Sequence, residues 1–272
     1  MNDLEKYRKM GQGFIDNLKL LTYPIAVKLV RPGEEVSSNA IHPHKMFGHD
    51  VPACLTYTWC RRSGMHFYLK KEDIACKPIT IHHFGLERTD DPEDVYKAWE
   101  RKAAYKRNAE MEKKSRENDA TLSYGEIEGI VISPLHNSII KPDLVMIYCL
   151  PVILSHLILA ATYDGDCITS YFNGMESSCK NGIIRTYKTN QCQVVCPGMG
   201  DRVMASVQDN EMIFSIPESK LELVLNNLFL AGNKIKPSPF GIPHLNGELG
   251  PIRVYGKYSE PGVWQLLRKK IF

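Results

Sequence analysis

The 272 residues, 43% hydrophobic and 24% charged, make a chain long enough to bury a sizeable core without covalent staples, which excludes a disordered, collagenous or coiled-coil chain. A net charge of only +3 gives no domain-wide basic footprint, so phosphate-driven nucleic-acid binding is excluded as the main role. No apolar run reaches the roughly 18 residues that span a bilayer, and MNDLEKYRKM lacks the apolar core of a signal peptide, so the expected setting is cytoplasmic, soluble and away from membranes.

The first element is an amphipathic helix, predicted by Leu4, Tyr7, Phe14, Leu18 and Leu21 at three- and four-residue steps and ended by Thr22-Tyr23-Pro24. Ile25 to Val30 reads as a buried strand stopped at Arg31-Pro32-Gly33, and a polar loop with His42, His44 and His49 follows. Short elements fill 54 to 86: an aromatic segment from Leu55 to Trp59, a turn at Gly64, a strand at His66 to Leu69, then Cys76-Lys77-Pro78 leading to Phe84-Gly85-Leu86. From Glu87 to Asp119 more than half the residues are charged. This predicts a long solvated helix with Val95, Ala98, Trp99 and Tyr105 on one stripe, either a plain surface excursion or a lid or partner-docking arm.

Strands are predicted at Ile130 to Ile132 and Leu144 to Tyr148, and Pro151 opens a helix that closes at Asp164-Gly165. A strand at Gln191 to Val195, a glycine-rich loop at Cys196 to Arg202, a strand at Met212 to Ile216 and a helix from Pro217 complete the order, before a tail rich in Pro and Gly beyond Lys236. The expectation is one α+β domain over 1–272, a mixed α/β sheet with flanking helices, a charged helical insertion at 87–124 and a C-terminal extension at 236–272. Both halves share a loose order of strand, cysteine, glycine turn and cysteine, which hints at an old duplication.

Eight cysteines in a long cytosolic chain are buried small hydrophobes or metal ligands rather than a disulfide framework. Cys54 and Cys76 flank one predicted unit, and Cys179 and Cys196 another, so four thiolates, two per half, could close one cluster site between the halves. Cys60 in place of Cys54, and Cys192 in place of Cys196, fit the spacing too. Cys196-Pro197 repeats the Cys-Pro pairing of the bacterial ferredoxin run. Structural zinc and redox Cys-x-x-Cys chemistry are disfavoured, because no two tight cysteine pairs occur. Gly198 and Gly200 would let the backbone approach a bulky ligand, Arg202 could hold a substrate carboxylate, and His82 or His83 could move a proton. The bland alternatives are an ordinary glycine turn, an arginine paired to a surface acid and structural histidines. No nucleophile elbow, Walker loop or dinucleotide-binding glycine motif is present.

An ordered series of short motifs carries a family resemblance: Pro24 to Lys28, Cys54, Gly64, Cys76, Phe84-Gly85-Leu86, Gly129 to Leu135, Pro142 to Val145, Pro151, Ala160 to Gly165, Ser178-Cys179, Cys196 to Arg202, Glu211 and Ile216-Pro217. In this order the chain, over roughly 15–235 and apart from the charged insertion and the tail, resembles the domain of unknown function 169 family, archaeal cysteine-rich proteins common in anaerobes. The resemblance implies Cys54, Cys76, Cys179 and Cys196 as its cysteine pattern and returns Cys60, Cys149, Cys167 and Cys192 to the core. Asp201 stands where the family has glycine or serine, and Cys149 departs from a small-residue turn, which puts the substrate pocket in doubt more than the cluster.

Two functions follow as expectations. One is a [4Fe–4S] enzyme, a lyase or reductase of a small anionic or oxygenated substrate, in which an iron left open by three thiolates acts as a Lewis acid for dehydration, elimination or desulfuration. The other is an electron-transfer accessory or sensor that docks a redox protein partner through 87–119. Whether three or four cysteines bind, and whether the chain forms a homo-oligomer, stay open.

Overall fold

The computed structural model describes residues 3–77, 79–88, 97, 101 and 104–231. In chain order the elements are α1 (Asp3–Leu18), β1 (Ile25–Val30), α2 (Pro43–Phe47), α3 (Ala53–Ser63), β2 (Phe67–Leu69), α4 (Ile79–His83), α5 (Ala109–Arg116), β3 (Gly129–Pro134), β4 (Leu144–Cys149) and α6 (Pro151–Ala161). A π-helix (Ser178–Arg185) then precedes α7 (Thr186–Thr189), β5 (Gln193–Val195), α8 (Met199–Ala205), β6 (Met212–Pro217) and α9 (Glu218–Asn227). The fold is α+β, as the element order predicts.

The six strands form one sheet in the order β2-β3-β1-β4-β6-β5, antiparallel at every pairing. This order falls into two alike triplets. In each half the first strand and the second flank the third, and the two first strands, β1 and β4, pair at the centre, with Ala26 opposite Val145. The sheet therefore repeats one three-strand order about its middle. The central strands are apolar on both faces because both are covered. Ile25, Val27, Leu29, Leu144, Met146 and Tyr148 turn to one face, where α3 and the π-helix pack with them in one core. Their alternate neighbours, Ala26, Val145 and Ile147, are equally buried, and α6 and α9 pack against β6 on that other face.

The crossovers that join first strand to second carry α3 in one half and the π-helix in the other, so both lie over the same face and touch each other. Gly64, at φ 73°, ends α3 in the left-handed conformation, with its N–H on the Cys60 carbonyl at 3.0 Å. Two readings change. Leu55 to Trp59 belongs to α3, and the Cys196 to Arg202 loop contains α8. Both stretches are too short, and too mixed in aromatic, threonine and glycine residues, to show a 3.6-residue period.

Of the charged segment, Val95, Ala98 and Trp99 lie outside the described residues, as does the C-terminal extension. Its described end is not a solvated face: Glu112 and Arg116 of α5 are buried. Among the described residues no helix is long and apolar enough to cross a membrane.

Candidate functional site

A parallel bridge between Val51 and Ile74, continued by the Ala75 N–H to the Val51 carbonyl at 2.9 Å, lays the approach to α3 beside the approach to α4. Cys54 and Cys76 are thereby brought together from opposite ends of the first half. The π-helix supplies Cys179 from the second half, and α8 leans on α3 through the Thr58 hydroxyl to the Ala205 carbonyl at 2.8 Å. Between them lies a cavity of about 320 Å³ lined by Cys54, Cys76, Cys179, Pro52, Ala75, Lys77, Thr80, Tyr105, Met175, Glu176, Ser178, Gly200, Asp201 and Met204. It sits at the seam of the two sheet triplets.

Burial pushes all three lining thiols upward, and the Asp201 charge adds to it in each, together with the other two thiols at Cys54, Glu176 at Cys76 and the Cys76 thiol at Cys179. Hydrogen-bond donors oppose it, at Cys54 only the residue's own N–H. The Ala53 N–H and the Thr80 hydroxyl hold Cys76 down, and the Tyr57 and Ser178 hydroxyls do so for Cys179. Tyr57 Oη lies 3.2 Å from Cys179 Sγ. Cys54 Sγ faces the Gly200 carbonyl at 3.9 Å. Burial likewise raises the Asp201 carboxyl, although Ser178 Oγ donates to Oδ1 and the Gly198 N–H donates to Oδ2 at 2.9 Å. Among the described residues no group of three His, Cys, Asp or Glu side chains is gathered as ligands of a metal ion. The three thiols border a space instead. Such a set, its thiols raised by burial and flanked by carboxyls, is one whose ionisation a bound cation would drive, with release of protons.

A buried ion cluster backs this wall. Arg116 holds Glu112 at 2.6 Å and Glu176 at 3.0 Å, while Lys180, fully buried in the π-helix, holds Asp119 at 2.6 Å and reaches Glu176 at 3.7 Å. Burial would raise the Asp119 carboxyl, but hydrogen bonds from His83 and Lys180 bring it below the ordinary carboxylate range. Glu176, at φ 40°, takes a left-handed backbone that non-glycine residues rarely adopt, and the wide-ringed π-helix starts two residues later. Strain and π-turns both concentrate at working sites.

Cys54, Cys76, Cys179 and Gly200 thus line one cavity; the spacing left Cys60 open in place of Cys54, and the resemblance singled out these cysteines. Cys196 is exposed just after β5 and does not line the cavity. Gly198 caps α8 and spends its N–H on Asp201, leaving none to aim at a ligand. Arg202 donates to the Gln208 carbonyl and is not part of the lining, where Lys77 is the basic residue. His82 and His83 sit on α4 outside the lining, His83 with its Nε2 3.3 Å from Asp119. His42 pairs with Asp73 at 3.3 Å. Of the remaining cysteines, Cys60, Cys149 and Cys192 are buried, but Cys167 is exposed rather than in the core. Glu176, Tyr57 and Thr80 were not marked by any motif; Asp201 lies in the Cys196 to Arg202 motif, where it departs from the expected glycine or serine, and Lys77 lies beside Cys76.

Two similar sheet triplets with thiols from both halves around one cavity define an α+β protein with a cysteine-lined site at its internal seam. Across residues 14–227 the chain matches the model of the DUF169 family, described as uncharacterised ArCR, and it belongs to that family. No curated protein and no solved structure matches it.

Proposed function

We propose that the chain is an iron–sulfur enzyme whose [4Fe–4S] cluster is held by Cys54, Cys76 and Cys179. The observation that carries this reading is the three-thiol lining of one cavity between elements of the two halves, with the Tyr57 hydroxyl 3.2 Å from one of the sulfurs. That hydroxyl has little to do for a neutral thiol, a weak acceptor, and much to do for a ligated thiolate. Thiols that border a space, rather than converge on a point, suit a cluster broader than a single ion. Three protein thiolates leave one iron free, and when bound such a cluster supplies a Lewis acid for dehydration, elimination or desulfuration of a small oxygenated molecule.

The chain's own residues would then act as follows. Lys77, at the cavity wall and in an exposed pair with Asp50 at 3.4 Å, takes the anionic end of a substrate in place of Arg202. Asp201, whose carboxyl burial raises, holds or moves its protons in place of His82 and His83, while Glu176, tied to Arg116 and Lys180, fixes the wall. Met175 and Met204 give the space apolar walls that exclude water. Electron transfer alone would call for a fourth thiolate, and Cys196 points elsewhere.

Anaerobic incubation of the full chain with ferrous iron and sulfide tests the proposal. The expected product is brown, holds iron and sulfide in equal amounts, and is lost in each of C54S, C76S and C179S but kept in C196S. A wild-type chain that stays colourless, or a cluster that survives the three cavity substitutions, overturns it.

A further inference from the structure

Tyr57 lies one helical turn beyond Cys54 on α3, so the two share a face, and its side chain is fully buried. Its hydroxyl crosses the seam between the halves to the Cys179 sulfur at 3.2 Å. A phenylalanine would fill the same space in a core this dense without adding a polar group that must find a partner. The partner found is a sulfur, which accepts weakly as a thiol and strongly as a metal-bound thiolate.

A second phenol nearby shows the contrast. Tyr148 of β4 is also buried, its ring lies under the Arg61 guanidinium at 4.2 Å, and its hydroxyl has no hydrogen-bond partner among the described residues. One phenol is therefore spent on a sulfur and the other is not.

We infer that Tyr57 is a positioning residue of the three-thiol site, its hydroxyl donating to the Cys179 sulfur so as to fix that ligand and withdraw electron density from it. The inference rests on the metal-site reading above, and it adds that the first half of the chain controls a ligand supplied by the second. Hydrogen bonds to ligand sulfurs raise the reduction potential of a cluster, and groups that orient ligands are worth about 10–100-fold in metal affinity.

The experiment compares the reconstituted full-length wild type with Y57F and Y148F, and with a chain carrying fluorotyrosine at position 57. The readouts are iron content, midpoint potential and the rate of iron loss to a chelator, with circular dichroism of the metal-free chains as the folding control. Y57F is expected to fold and to load iron, but with a lower midpoint potential and iron loss about 10–100-fold faster. Y148F should match the wild type. Fluorotyrosine, a stronger donor of nearly the same shape, should move the potential the opposite way, and it reads the effect even if Y57F misfolds. Equal potentials and loss rates for wild type and Y57F, or a fluorotyrosine chain unchanged from wild type, overturn the inference alone. A wild type that takes up no iron overturns the metal reading and the inference with it.

Discussion

Arg116 and Glu176 meet in a two-point ion pair, Nη1 to Oε2 at 3.0 Å and Nη2 to Oε1 at 3.3 Å. This pair fastens the end of the charged segment to the strained residue that opens the π-helix, and so to the wall of the thiol cavity. Both groups are largely out of water, so the pair differs from a solvated surface bridge, whose worth is small. Replacing Arg116 with Met would leave the buried Glu112 without its cation and the half-buried Glu176 with Lys180 alone, at 3.7 Å. R116M should therefore lose about 3–5 kcal/mol in urea unfolding, the usual cost of breaking a buried pair from one side. A loss below about 1 kcal/mol, the range of exposed pairs, would contradict this account of the segment.

A buried cation away from the cavity tests the same rule. Arg61 is fully buried on α3, with Nη2 2.9 Å from Glu211 Oε2 and Nη1 on Oε1 of the same carboxylate. Burial would raise the Glu211 carboxyl, but the hydrogen bonds from Arg61 and the Gln208 N–H hold it below its ordinary value. A carboxylate depressed in the folded state stabilises above its unfolded value of about 4.3, and that contribution fades as pH falls through the lower folded value. E211Q should thus cost about 3–5 kcal/mol at pH 7 and progressively less in acid. Urea melts of both chains at neutral and acid pH decide it; a gap that does not shrink with acid rules the ion pair out as its source.

The cysteines sort by place in the fold, and alkylation followed by mass spectrometry should sort them the same way. Cys167 and Cys196 are exposed and should label first in the folded, metal-free chain. Burial pushes Cys149 up to about 12 and Cys192 up to about 11, which leaves about one part in ten thousand and one in a thousand ionised at pH 8. With Cys60, buried and likewise raised, they should label only as fast as the chain unfolds. Rapid native labelling of any of these three would mean that the packing over the sheet opens far more readily than its burial implies.

What the sequence made legible, and what it hid, follows from how each residue is buried. Leu144–Cys149 is apolar throughout, and Ile25–Val30 is apolar but for the half-buried Lys28, because both faces of the sheet are covered, and apolar runs are visible in one dimension. Chain order offered Cys54, Cys76 and Cys179 only alongside Cys60, and it was the family resemblance that chose among them. Glu112, Arg116, Asp119 and Lys180 were not, since each is polar by composition and is buried only by a partner that folding supplies: Arg116 and Glu176 stand 60 residues apart. The π-helix hid for another reason. Its wider turn breaks the 3.6-residue period, and its buried Lys180 and Asn181 read as surface. Arg202 was drawn to the site by its glycine-rich loop and the histidines by their place after Cys76, but Arg202 donates to Gln208 and none of the three lines the cavity.

Gly85, in the Phe84-Gly85-Leu86 motif, shows that a short motif can have a backbone cause. It ends the turn after α4 at φ 64°, and a Cβ there would stand 2.2 Å from the Ser123 carbonyl oxygen. That closeness is used: the Leu122 N–H reaches the His83 carbonyl at 2.8 Å and the Gly125 N–H reaches the Gly85 carbonyl at 3.0 Å, so the charged segment returns to the body by lying against this turn. In G85A the new methyl meets backbone, which cannot swing aside as a side-chain end can, and the left-handed conformation adds about 1 kcal/mol or more of strain. The expected result is a loss of about 2–4 kcal/mol in urea unfolding, overpacking and strain together, with faster amide exchange at Leu122 and Gly125. The same substitution at Gly125, also at positive φ but with open space around its Cβ, carries the strain without the collision and should cost less. If the two variants lose equal stability, close approach at Gly85 is not what fixes the motif.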